Sequence, residues 1–157
     1  MTASMTHVIG VDLGGTKTAA GGVVAPPSGE VLMSETIPTL KRAGGEAILD
    51  ATAALITGLV ARAADAGISV SGVGIGSAGV IDAVAGSVVS ATDAIHGWAG
   101  TALVAGLSAR LSLPASAVRA VNDVHAHAWV KPGWVRPPAP RVRSWWRLER
   151  ELAEVLC

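Results

Sequence analysis

Along the first third of the chain the apolar residues come in short runs rather than at helical spacing. His7 to Leu13 (HVIGVDL) is one such run, and its closing acid is followed by Gly14 and Gly15. That is the pattern of a buried strand entering a turn. Thr18 to Ala25 (TAAGGVVA) predicts a second strand, Pro26, Pro27, Ser28 and Gly29 a turn, and Glu30 to Ile37 a third strand. A β-meander is the economical way to join them. The period then changes. From Gly45 to Ala66 the apolar residues Ile48, Ala51, Leu55, Leu59 and Ala63 recur at helical spacing, and Gly67 supplies a stop. Val70 to Ile75 predicts another buried strand, and Val80–Ile81 with Ser87–Ser90 a short hairpin around Gly86. Thr101 to Leu111 predicts a second helix, Val118 to Val121 a strand, and Asp123 the start of a third helix with an acid near its N-terminus. The order βββαβ(ββ)αβα describes a mixed α/β domain, with a three-stranded meander and flanking helices.

Composition sharpens this picture. At 157 residues, half of them apolar and 15% charged, the chain suits one domain with a real core rather than a disordered segment. A formal net charge of zero gives no reason to expect a nucleic-acid or membrane partner. Cys157 has no partner for an internal disulfide, the opening MTASMTHV has no signal-like pattern, and no uninterrupted apolar run reaches the length of a membrane span. The expectation is a cytoplasmic protein. The averages hide a break at Trp129. From there to Cys157 lie four of the five tryptophans, four of the eight prolines and six of the twelve Lys and Arg residues. The expected division is therefore residues 1–128 as the domain and 129–157 as a non-native tail.

Three places carry candidate chemistry. The first is Asp12-Leu13-Gly14-Gly15-Thr16-Lys17 between two strands. Adjacent glycines let backbone N–H groups approach a bulky anion, Thr16 adds a hydroxyl, Lys17 a cation, and Asp12 could position a hydrated Mg²⁺. A plain hairpin turn with a surface lysine fits the same residues. It is not a Walker loop, which leads into a helix. The second is Gly74-Ile75-Gly76-Ser77-Ala78-Gly79, which matches G-x-G-x-x-G. The following VIDAVAGSVVS is β-branched where a dinucleotide site requires a helix, so backbone lining a small polar ligand is the better reading. Ser77 lacks the preceding glycine of a nucleophile elbow. The third is Asn122-Asp123, between a strand and a helix. A carboxylate at the carboxyl end of a parallel strand can accept a hydroxyl proton, while simple N-capping would select the same residues. His125 and His127 point to different faces of a helix, which disfavours a shared metal. Trp98 is expected in the core or a pocket wall rather than as a stacking platform.

In this order the three segments resemble the ROK family of bacterial sugar kinases and repressors, from His7 to about Ala128. DLGGTK resembles the family's first phosphate motif, and GIGSAGVID its strand and loop beside the sugar. HGW resembles its N-L-P-G-W segment, and VNDVHAHA its E-N-D catalytic segment. The resemblance implies the N-terminal domain of an actin-like (ribonuclease H-like) ATPase fold. It implies ATP and Mg²⁺ as cofactors, and a hexose or N-acetylhexosamine as substrate. Asp123 would be the general base, with Asn122, Gly79 and Asp123 around the sugar. Asp12, Gly14, Gly15, Thr16 and Lys17 would face the ATP phosphates. The family's partners are small molecules, without nucleic acid or membrane in the kinases, and its intact members are homo-oligomers. Val121 replaces the usual Glu, His125 a frequent Asn, and Ala94 the Asn of N-L-P-G-W, so Asp93 is expected to take over that sugar contact. The family's second domain, its adenosine motif G-T-G-x-G-G-G and its zinc site have no counterpart in this sequence. A sugar-sensing repressor is an alternative, as is a non-catalytic sugar-binding fragment. A repressor would need a helix-turn-helix ahead of the six residues before the first strand.

The tail can be read in another frame. If each codon is built from the last base of one written codon and the first two of the next, Trp129 to Pro140 permits L-G-E-A-W-L-G-A-A-A-G-T. Ser144 to Val155 permits V-L-V-A-V-G-T-G-I-G-G-G, which ends in the missing adenosine motif. A frameshift, and hence an inactive chain, is the expectation. A basic, Trp-rich segment for single-stranded nucleic acid is disfavoured by the intervening Glu149, Glu151 and Glu154.

Overall fold

The structure is a computed structural model that describes residues 7–15, 18–25, 30–38, 40–92 and 95–122. Strands β1 (His7–Leu13), β2 (Thr18–Ala25) and β3 (Glu30–Ile37) form the expected meander. Helix α1 (Gly45–Asp65) then leads to β4 (Val70–Ser77), and a hairpin of β5 (Val80–Asp82) and β6 (Ser87–Ser90) follows. Helix α2 (Leu103–Leu111) and one 3-10 turn (Ala115–Ala117) precede β7 (Val118–Asn122). The five-stranded sheet has the order β3-β2-β1-β4-β7, antiparallel from β3 to β1 and parallel from β1 to β7. The helix expected from Asp123 and the tail from Trp129 lie outside the described residues.

The register arranges the core in rows. Val23, Ile9, Val73 and Val118 lie side by side across four strands, and Val11, Ile75 and Ala120 form the next row toward the strands' carboxyl ends. All seven are buried. Paired residues share a face, so the intervening row, Gly22, Gly10 and Gly74, leaves the other face bare across β2, β1 and β4, between Ser34 of β3 and Arg119 of β7. Helix α1 packs on β2 and β3, α2 packs on β7, and the two helices touch each other. Ile48, Leu49, Leu55, Ile56, Leu59 and Ala63 are the buried stripe of α1, which is long and apolar enough to span a membrane by length and composition but serves here as the core helix. Arg110 of α2 clasps α1 from the side: its Nε donates to Asp50 at 2.6 Å, and its Nη2 to Glu46 at 2.6 Å. These carboxylates, Asp50 foremost, raise the Arg110 pKa above its ordinary value.

Most element boundaries follow the sequence pattern, and the departures have local causes. Strand β4 runs two residues past Ile75 because Gly76 and Ser77 pair with β1 on one side and β7 on the other. Helix α2 starts at Leu103 because Thr101 is already engaged, its N–H donating to Trp98 O and its C=O accepting from Val88. The β5–β6 turn is built by Asp82, whose carboxylate accepts from the amides of Val84 and Ala85 at 2.9 Å each.

Both helices end in the same hydrogen-bonded motif with different residues. After α1, Gly67 (φ +73°) donates to Ala64 O and Ile68 to Ala63 O. After α2, Ser112 (φ +53°) donates to Ala109 O and Leu113 to Ser108 O. Serine pays the steric cost of the left-handed region that glycine escapes. Ser112→Gly is therefore expected to stabilise the domain by about 0.5–1 kcal/mol, after allowing for glycine's larger unfolded-state entropy. Gly67→Ala, at a site with open space around its Cβ, should destabilise it by about 1 kcal/mol from backbone strain alone. Urea denaturation of the three proteins measures both.

Candidate functional site at the carboxyl edge of the sheet

The row beyond Val11, Ile75 and Ala120 changes character. It consists of Leu13, Ser77 and Asn122, the last residues of β1, β4 and β7, aligned by parallel pairing. Open α/β sheets bind ligands outside this edge, where chains leave the strands. Neighbouring strands are roughly 4.8 Å apart, so the ends of β1 and β7, with one strand between them, are separated by about 10 Å. The first and third candidate segments thus emerge at one edge of the sheet. Asp12 is exposed at the end of β1, and Gly14 and Gly15 are partly buried just beyond it. Thr16, Lys17, Asp93 and Asp123 lie outside the described residues.

The second candidate segment lies between them. Gly74 to Ser77 are buried within β4, and a two-residue loop, Ala78 and Gly79, leads into β5. No helix follows, which agrees with the rejection of a dinucleotide site. The Ala78 amide donates to Leu13 O at 2.9 Å, tying the loop to the end of β1. Gly79 has φ +98°, and a Cβ there would stand 2.7 Å from Ser90 O, so the close packing of β6 requires glycine. Asn122 donates through Nδ2 to Gly79 O. The sequence pointed to Asn122 as a sugar contact. The described geometry shows its amide nitrogen engaged by the neighbouring loop.

Trp98 completes the edge. It is 1% exposed, and its Nε1 lies 3.1 Å from Ala78 O and 3.3 Å from Ser77 Oγ. A buried indole N–H needs such an acceptor. The expectation of a core or pocket-wall residue holds on both counts, since Trp98 also lines a cavity of 270 Å³ with Ala91, Thr92, Ile95, His96, Gly97 and Ala99. Thr92 and His96 supply its polar side chains, and Asp93 follows Thr92 in sequence. Motif reading passed over Thr92, which no spacing rule singles out.

Comparison with known proteins agrees with this architecture. The ROK family pattern matches residues 8–134. A glucokinase of Streptomyces coelicolor is 37% identical over 125 residues, which cover 80% of this chain and 35% of that protein. The chain thus spans about a third of the length of the curated relatives it matches. Among solved structures, a ROK family glucokinase from Streptomyces griseus, in complex with glucose and AMPPNP, superposes with a TM-score of 0.65 at 36% identity, covering 78% of this chain and 35% of that one. An inorganic polyphosphate/ATP-glucomannokinase from Arthrobacter superposes with a TM-score of 0.64 at 33% identity, covering 77% and 46%. With the ends of β1, β4 and β7 at one sheet edge, and with a family match over most of its length, this chain belongs to the ROK family and has the actin-like fold of its sugar kinases.

Proposed function

We propose that this chain is the sugar- and phosphate-facing domain of an ATP-dependent kinase for a hexose or N-acetylhexosamine, with glucose the first substrate to test. The observation that supports it is the register at the carboxyl edge. Leu13 and Asn122 end strands separated only by β4, so these two strand ends lie within the span of one sugar and one phosphate. Relatives named as glucokinases, one of them in complex with glucose and AMPPNP, support the same substrates.

In this reading Asp123 accepts the proton of the attacking sugar hydroxyl, and Asp93, Asn122 and Gly79 surround the sugar. Asp12, Gly14, Gly15, Thr16 and Lys17 face the phosphates. The exposed carboxylate of Asp12 at a strand end, followed by two glycines, fits a hydrated cation beside phosphate oxygens. Bound Mg²⁺ would neutralise phosphate charge. Phosphoryl transfer depends on positioning and charge neutralisation from both walls of a cleft. The second wall corresponds to the part of the relatives that this chain does not span. The frame reading accounts for that difference, with 1–128 as the native domain and 129–157 as a frameshifted tail, and negligible kinase activity follows. Cytoplasmic location belongs to the same reading.

Two measurements test it. In a coupled assay the 157-residue chain should show no glucose-dependent ATP turnover, whereas a protein expressed from the restored frame should. In that restored protein Asp123→Ala should lower kcat by about 10²–10⁴-fold, the usual range for losing a general base. A restored enzyme that keeps its rate without Asp123 would remove the base assignment. Separately, re-sequencing the DNA around the Ala128 codon should show the frame change, and a restored reading that fails to reach G-T-G-x-G-G-G would end the frameshift proposal.

A further inference from the structure

The Ala78–Gly79 loop is short, yet three separate elements hold its backbone. The end of β1 accepts the Ala78 N–H through Leu13 O at 2.9 Å. Trp98, twenty residues on, donates Nε1–H to Ala78 O at 3.1 Å. Asn122, at the end of β7, donates Nδ2–H to Gly79 O. Ser77 closes the arrangement, its Oγ donating to Ala78 O at 3.0 Å while lying 3.3 Å from the indole nitrogen. The two side-chain donors come from segments that sequence reasoning treated as independent.

We propose that Trp98 and Asn122 are paired positioning residues, which lock the Ala78–Gly79 loop as a fixed surface beside the sugar site. The proposal rests on the reading that this edge receives a sugar. Gly79 explains why a lock is required: at φ +98° its backbone is in a region glycine enters and leaves easily, and no side chain of its own restrains it. Trp98 is well suited to the role. It is almost fully buried, so breaking its bond would strand an indole N–H away from water. Its other neighbours form the wall of the 270 Å³ cavity, so the same ring sets the cavity wall and the loop. Asn122 acts at the loop's other carbonyl through Nδ2, in addition to the sugar contact proposed for it above. A loop held this way before ligand arrives loses little freedom on binding, which is the usual source of affinity in a preorganised site.

The test is amide hydrogen exchange, read by NMR on the full 157-residue chain, for the parent, Trp98→Phe and Asn122→Ala. Phenylalanine keeps an aromatic ring in the core and removes the N–H together with part of the indole's volume, which the Ile75 amide monitors. In each variant the Ala78 amide should exchange about tenfold faster, as expected for losing one neutral hydrogen bond. The Ile75 amide, deeper in β4, should keep its protection. Glucose titration should show about tenfold weaker binding in Trp98→Phe, the variant that removes no proposed sugar contact. Unchanged Ala78 exchange in both variants overturns the lock. Faster exchange with undiminished glucose affinity overturns its bearing on the sugar. If Trp98→Phe also loses Ile75 protection, it has disturbed the core, and Asn122→Ala alone decides. A parent chain that binds neither glucose nor N-acetylglucosamine rejects the sugar reading, while the exchange result still decides whether Trp98 and Asn122 hold the loop.

Discussion

Parallel pairing of β1, β4 and β7 is the constraint on which the other features depend. It fixes Leu13, Ser77 and Asn122 at one level, and so decides that strands ending more than a hundred positions apart in sequence end at the same edge. Nothing local could do this. Slipping one strand by a single residue would turn the apolar rows of Val23, Ile9, Val73 and Val118 out of the core. The hydrophobic core therefore enforces the alignment of the polar edge. The three glycines on the opposite face contribute little to that selection, since they have no side chains to misplace. Burial of the Val and Ile face carries most of it, sealed by α1 and α2, with the Arg110 clasp outside the seal where exposed ion pairs add little.

The elements were legible in the sequence because their period is local. His7–Leu13 and the helix beginning at Gly45 announce themselves by apolar spacing and by the glycines that bound them, and Val118–Val121 by its apolar residues alone. The candidate segments were legible as motifs. Rejecting a dinucleotide site required only the β-branched residues after Gly79, and the structure places β5 there. Other features were hidden because they are tertiary. That Asn122 bonds to a glycine forty-three residues away, or that Trp98 bonds to Ala78, depends on how the strands are ordered. No spacing along the chain encodes either bond. The Asp82 turn is local, an Asx residue bonded to amides two and three positions on, and so belongs with the legible features. The left-handed Ser112 had no signal, because serine shows no preference for that conformation.

Trp98 joins two aspects of the site that are usually treated apart. Its burial is a stability property, and its N–H bond to the loop is a geometric one, yet neither is independent of the other. A large ring held in the core is an accurate place from which to aim a single donor, because close packing fixes its rotamer. A surface side chain making the same bond would lose more entropy and hold the loop less firmly. The arrangement thus uses a fully buried ring to restrain a conformationally permissive backbone residue, Gly79.

Under the proposed reading this distribution has a consequence for the chain as it stands. The contacts attributed to the sugar side arise within the domain, from loop, cavity wall and strand ends held by its own core. Those attributed to phosphate are a mobile anion's contacts with one turn, and charge neutralisation from a single side leaves most of a triphosphate in water, where pairwise attraction is weak. Sugar recognition can therefore persist in a domain that cannot complete phosphoryl transfer. The two capacities separate because preorganisation by a core is a property of one domain, whereas exclusion of water from a reacting phosphate requires two walls to close.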